Sequence, residues 1–133
     1  MHIGSYDIAD QMLGDSDKRV LPGKDTYLIE INHPFNGSPD ADPGIAVEYS
    51  GTRVVTYLPD GEVIYYHGGW MTLTTQSRMN SWGLPGVTVS KRGTSFFITL
   101  PGEPPVEWEG FGVMVKPTKS GDLVIEQLPA LSI

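Results

Sequence analysis

Apolar and polar positions alternate in short runs broken by glycine, proline and acidic turns, the pattern of a β protein built from hairpins. Thr26 to Ile31 (TYLIEI) is the first clear strand. Thr52 to Leu58 places Val54, Thr56 and Leu58 on one face and Arg53, Val55 and Tyr57 on the other. Pro59-Asp60-Gly61 follows as a turn: proline presets its φ, aspartate caps locally and glycine takes a positive φ. Glu62 to His67 returns as the partner strand, so 52–67 reads as a β-hairpin. Val87 to Ser90 and Thr94 to Leu100 flank Lys91-Arg92-Gly93 as a second hairpin, with Phe96, Ile98 and Leu100 on one face. Val106–Trp108, Phe111–Val115 and Leu123–Leu128 bring the count to about eight short strands.

Helical patterns are few. Residues 5–13 fit a short helical segment with Ile8, Met12 and Leu13 on one face, stopped by Gly14. Trp70 to Leu73 fits a further short strand, after which Thr74 or Thr75 caps a helix over Gln76 to Trp82. Met79 and Trp82 share a face of that helix, and Gly83, Pro85 and Gly86 end it. The expected fold class is α+β: a mostly antiparallel β-sheet with hairpins and one short helix after Thr75. Residues 1–133 are expected to form a single domain, with a loosely patterned acidic N-terminal segment at about 1–25 and a long Pro/Gly loop at 32–44. The expected core is Ile29, Ile31, Val54, Leu58, Trp70, Met79, Phe96, Ile98, Leu100, Trp108, Val113 and Ile125.

Composition narrows the function. Hydrophobic residues make up 39% and charged residues 19%, which is globular rather than disordered. The formal charge of −7 argues against bulk attraction to nucleic acid or an anionic membrane. That excess lies wholly in residues 1–66, which hold 11 acids and 4 bases, against 5 and 5 in residues 67–133. Asp7, Asp10, Asp15, Asp17 and Asp25 read as a solvated segment. The sharper alternative is an acidic surface that imitates phosphate charge and docks on a basic partner. Cysteine is absent, which removes disulfides, thiolate catalysis and zinc–thiolate sites. No apolar run approaches the ~20 residues that span a bilayer, and the start has no apolar leader, so no membrane association is expected.

Catalytic patterns are missing. No serine sits in a Gly-x-Ser-x-Gly elbow. His2, His33 and His67 are too far apart to share a metal through local spacing, and His33 with Asp40 and Asp42 makes a weak mixed set. Neither a metal nor a cofactor is expected. Glu107 and Glu109 share a face and read as the solvated side of an edge strand, with Val106 and Trp108 inward. Lys91, Arg92, Arg78 and Lys116 with Tyr65, Tyr66 or Phe97 would make a stacking platform, but nucleic acid is an improbable partner for so acidic a chain.

The most informative stretch is Gly68 to Asn80 (GGWMTLTTQSRMN). Two glycines permit tight backbone, and a threonine cluster leads into a helix start whose free N–H groups suit an anion. The candidate binding residues are Trp70, Thr72, Thr74, Thr75, Arg78 and Asn80, with Arg78 as a clamp for phosphate or carboxylate. The plainer alternative has Thr75 as N-cap, Trp70 in the core and Arg78 paired with a surface acid.

Read with the Val54–Gly61 hairpin, the pattern Gly-Gly-Trp-x-Thr-x-Thr-Thr-x-x-Arg-x-Asn resembles a group of small uncharacterised proteins encoded by tailed bacteriophages and prophages. The resemblance covers about residues 50–100 and implies a phage or prophage origin and action in the host cytoplasm. It implies no activity. The leading expectation is an accessory protein that acts by protein–protein binding, against a host or phage protein. Two alternatives stay open: a small anion- or nucleotide-binding protein or enzyme using the Thr74–Arg78 region, and a virion structural or assembly component. A homodimer is also expected, because sheet edges must be covered and Tyr65 and Tyr66 face opposite sides of one strand.

Overall fold

The computed structural model describes residues 5–31 and 44–128. In chain order the elements are α1 (Tyr6–Leu13), β1 (Lys18–Val20), β2 (Thr26–Ile31), β3 (Gly44–Tyr49), β4 (Thr52–Tyr57), β5 (Val63–Tyr66) and α2 (Leu73–Trp82). They continue as β6 (Thr88–Arg92), β7 (Ser95–Thr99), β8 (Val106–Glu107), β9 (Gly112–Pro117) and β10 (Leu123–Leu128). The fold is α+β with predominantly antiparallel sheets, as the hairpin pattern predicts.

A large sheet has the order β1-β2-β3-β4-β5-β9-β10, and a small one the order β6-β7-β8. The chain therefore meanders through five neighbouring strands, leaves after β5 to build α2 and the small sheet, and returns with β9 beside β5. The His67 N–H donates to the Phe111 carbonyl at 2.9 Å and ties the two ends of that excursion together.

Side-chain register explains the packing. Leu28, Val47, Val55, Tyr65 and Val113 pair in turn across β2, β3, β4, β5 and β9, and all are fully buried. They share one hydrophobic cluster with Ala9 and Leu13 of α1, Met79 and Trp82 of α2, and Phe96 and Ile98 of β7. Helices and small sheet thus pack on the face of the large sheet that carries this row.

Amide side chains dock the excursion. Asn80 of α2 accepts from the Val89 N–H (2.8 Å) and donates to the Val89 carbonyl (2.9 Å), as a strand partner would. Gln76 accepts from the Lys91 N–H at 2.8 Å. Gln127 of β10 accepts from the Glu109 N–H and donates to the Glu107 carbonyl, joining the two sheets. Asn80→Leu leaves both Val89 groups without a partner, and each orphaned backbone group costs roughly 1–3 kcal/mol. We expect urea denaturation of that variant to show a loss of about 2–4 kcal/mol at unchanged m-value. A loss below about 0.5 kcal/mol would show that water replaces the amide.

Several expectations need correction. The 5–13 helical segment forms as α1, giving two helices among the described residues, but α2 starts at Leu73, before Thr75. Its N-cap is Thr72, whose hydroxyl accepts from the Thr75 N–H at 3.2 Å. Trp70 to Leu73 is not a strand, and Trp70 is not core. The loosely patterned acidic start also contains β1; α1 is capped by Ser5 and ended by Gly14 at φ 58°, as its pattern predicts, and the Arg19 guanidinium donates to the Met12 carbonyl. The inward face of α1 is Ala9 and Leu13, with Ile8 exposed. Val106 is also exposed, while Trp108 is buried. Ile29, Leu58 and Ile125 are half-buried, and, Trp70 apart, the rest of the expected core is buried. Of the 32–44 loop, Gly44 opens β3; residues 32–43, with His33, Asp40 and Asp42, lie outside the described residues, as does His2.

No described helix is long and apolar enough to cross a membrane.

Candidate functional site

The β3–β4 connection is the two-residue turn Ser50-Gly51. Tyr49 pairs with Thr52, and φ is 48° at Ser50 and 84° at Gly51, the double positive φ that matches hairpin twist. Serine rarely adopts that conformation. The Ser50 N–H donates to the Asp25 carbonyl at 3.0 Å, which holds the turn against the one before β2.

Facing this turn is the entry to α2. His67 ends the strand run after β5, and Gly68 and Gly69 follow with φ of 61° and 93°. A Cβ at Gly68 would lie 3.2 Å from both Thr52 Cγ2 and Tyr66 Cε2, so backbone conformation and space both require glycine there. The chain then folds back through a bond from the Trp70 N–H to the His67 carbonyl (2.9 Å). This leaves the Trp70 ring 64% exposed and Leu73 67% exposed.

Between the two segments lies an open cavity of about 250 Å³. The β3–β4 hairpin contributes Tyr49, Ser50 and Thr52; the α2 entry contributes Trp70, Thr72, Thr74 and Thr75. The Thr72 hydroxyl donates to that of Thr75 (3.1 Å) and lies 3.1 Å from that of Thr74. The wall is thus two aromatic rings and a set of hydroxyls, with no carboxylate, ammonium or guanidinium among the lining residues.

Four of the six candidate binding residues, Trp70, Thr72, Thr74 and Thr75, therefore meet at one cavity. The other two are structural. Asn80 is spent on Val89. The Arg78 Nε donates to the Thr26 hydroxyl (2.9 Å), and its guanidinium lies over the Tyr49 ring at 4.8 Å. It also packs against Gly23, where an added Cβ would lie 3.0 Å from the guanidinium carbon. Arg78 buttresses the cavity from behind Tyr49, and the plainer expectation that it pairs with a surface acid is replaced by these contacts. The sequence reading does not single out Tyr49, Ser50 or Thr52 as site residues, although Ser-Gly between two apolar runs is a hairpin signal.

A second cluster sits behind the Gly68-Gly69 turn. His67 is buried, stacked on Trp108 at a ring separation of 5.3 Å, with Phe96 at 5.4 Å and Phe111 at 5.2 Å. Its Nδ1 accepts from the Gly69 N–H at 2.9 Å, which requires an unprotonated Nδ1. Burial pushes the imidazole below its ordinary pKa of 6.5, partly offset by a hydrogen bond to the Gly110 backbone. The unfolded chain therefore takes up a proton before the folded one does. His67's contribution to stability is full above pH 6.5 and is lost as pH falls from there through the lowered folded value. NMR titration should find the His67 ring half-protonated below pH 6.5, with thermal stability declining as pH falls from 6.5 through that lowered midpoint. A midpoint at or above 6.5 would refute the assignment.

Among the described residues, no group of three His, Asp or Glu side chains is placed to hold a metal ion. Comparison with protein-family models, with curated proteins and with solved structures produced no match to the chain.

Proposed function

We propose that the protein is a phage- or prophage-encoded accessory protein that acts in the host cytoplasm by binding a host or phage protein, and that its contact surface is centred on Trp70. The phage origin rests on the Gly68–Asn80 pattern. The observation that carries the binding reading is the setting of Trp70. A large aromatic ring stands 64% exposed beside an exposed Leu73, on a turn that two positive-φ glycines hold in shape. Exposing that much apolar surface has no folding benefit, and tryptophan is prominent among the residues that dominate protein interfaces. Ser50 supports the reading, since a non-glycine residue held at positive φ beside the same surface is backbone strain of the kind found at functional sites. An anion clamp is less well supported, because Arg78 is committed to Thr26 and Tyr49 and does not line the cavity.

The test is affinity capture from host and infected-host lysates with the wild-type chain and Trp70→Ala in parallel. The reading predicts a protein retained by the wild type whose affinity drops about 30-fold or more in the variant, the cost of a ~2 kcal/mol hot spot. The variant should melt within about 2 °C of wild type, as an exposed ring contributes little to stability. Equal retention by both chains would refute Trp70 as the contact centre. Light scattering on the same preparations decides whether the partner is a second copy: a mass near 14.5 kDa at all concentrations excludes the homodimer.

A further inference from the structure

The cavity beside Trp70 has a chemistry of its own, distinct from the rim contact proposed above. We infer that it is a sugar-binding subsite, seating one uncharged pyranose ring of a glycan between the Trp70 and Tyr49 rings and the hydroxyls of Ser50, Thr52 and Thr74.

Size, charge and hydrogen-bond capacity each point to this class. About 250 Å³ is below the ~300 Å³ at which pockets for drug-sized ligands begin, and suits one ring with the remainder of its chain in solvent. The lining residues carry no formal charge, which disfavours phosphate, sialic acid or a charged peptide side chain. The aromatic rings give flat apolar faces with a polar edge, the complement of a pyranose that has a C–H face and a hydroxyl rim.

The polar part of the wall is hydroxylic, and a hydroxyl both donates and accepts. Among the described residues nothing bonds the hydroxyls of Ser50 and Thr52. The Thr72 hydroxyl is held by its bonds to the Thr75 N–H and hydroxyl, so it orients Thr74 and Thr75 instead of offering itself. A wall of two-way hydroxyls matches a ligand whose own groups both donate and accept. A run of consecutive prolines, the other common guest of paired aromatics, offers backbone acceptors only. The geometry is preset: the Ser50-Gly51 turn is anchored to Asp25, and the Tyr49 ring is backed by the Arg78 guanidinium. A ligand entering here orders little of the protein, which favours affinity.

The inference shares Trp70 with the proposed protein contact but does not require a protein partner. Its test is a titration of the isotope-labelled full chain with maltotriose, cellotriose and triacetylchitotriose, following the three indole N–H signals. Glucose and N-acetylglucosamine are run alongside, with inorganic phosphate and a proline decapeptide as competing chemistries. The expected result is a saturable shift of the Trp70 indole signal with at least one trisaccharide below about 10 mM, the range of a contact worth a few kcal/mol. The signals of the buried Trp82 and Trp108 should stay in place. Thr52→Val should weaken the response about tenfold while its spectrum keeps the wild-type dispersion. A shift with the trisaccharide but not the monosaccharide also supports the subsite and places further contacts on the rim.

No saturable shift with any sugar overturns the inference, as does a Trp70 response confined to phosphate or to the proline peptide. Failure here together with Trp70-dependent capture of a protein leaves the protein-binding reading standing. A sugar response without such capture does the reverse.

Discussion

Gly83→Ala should be among the most damaging single substitutions in the chain, although alanine is the smallest change available. Gly83 ends α2, with its N–H on the Met79 carbonyl at 2.8 Å. Its φ of −77° is open to any residue, so backbone conformation is not the reason for glycine. Space is. A Cβ would fall 2.6 Å from both the Met79 carbonyl oxygen and Tyr65 Cε2, and against the Tyr65 hydroxyl as well. Met79 and Tyr65 are both fully buried, so neither has a free direction to move in. The Tyr65 hydroxyl also accepts from the Leu84 N–H at 2.7 Å, and displacing the ring opens that bond. Overpacking costs ~1–3 kcal/mol and an orphaned buried group ~1–3 more. We expect a total near 3–5 kcal/mol and a fall in melting temperature of about 10–20 °C. A melting temperature within about 2 °C of wild type would show that the end of α2 slides freely past Tyr65.

The second large effect is Phe96→Ala. Phe96 is fully buried in β7 and meets His67 and Trp108 edge-on at 5.4 and 5.5 Å. Truncating a core phenylalanine costs about 3–5 kcal/mol, part of it for the cavity left behind. A second readout separates this from generic damage. Phe96 is part of the low-dielectric shell that holds the His67 pKa down, so in the folded variant the imidazole should titrate closer to 6.5. Phe96→Leu keeps most of the volume and should lose less than half as much stability. A His67 midpoint unmoved by Phe96→Ala would assign the lowered pKa to Trp108 and Phe111 alone.

Strong alternation or a proper turn made much of this fold legible in the sequence. TYLIEI is β2 with the expected bounds, Leu123–Leu128 is β10, and the two hairpins pair as their turns indicate. β3 was not legible. GIAVEY is buried or half-buried throughout, so it shows no period of two, and of the expected 32–44 loop it takes only Gly44. β1 is legible in no pattern, because its three exposed residues are held by backbone pairing to β2.

The site divides the same way. The sequence singled out Trp70 and the threonines but assigned Trp70 to the core, since nothing local distinguishes an exposed tryptophan from a buried one. Arg78 and Asn80 drew attention as polar residues on a helix. Their partners, Thr26 and Val89, come from elsewhere in the chain, and only the fold shows that both are structural.

Because β9 lies beside β5 with residues 67–111 looped out between them, the large sheet cannot be completed by local zippering. The β3–β4 and β6–β7 hairpins close short turns, whereas the β5–β9 seam must pay the entropy of closing the whole excursion, a cost that grows with the logarithm of loop length. We therefore expect the seam to form late in folding and to open early in unfolding. Weakening it at Val113 should quicken unfolding and leave the folding rate nearly unchanged, while a change in the Ser50-Gly51 turn should act on the folding rate. The same seam carries the link from His67 to Phe111, so the Trp70 turn is expected to take its final shape only as the last strands dock.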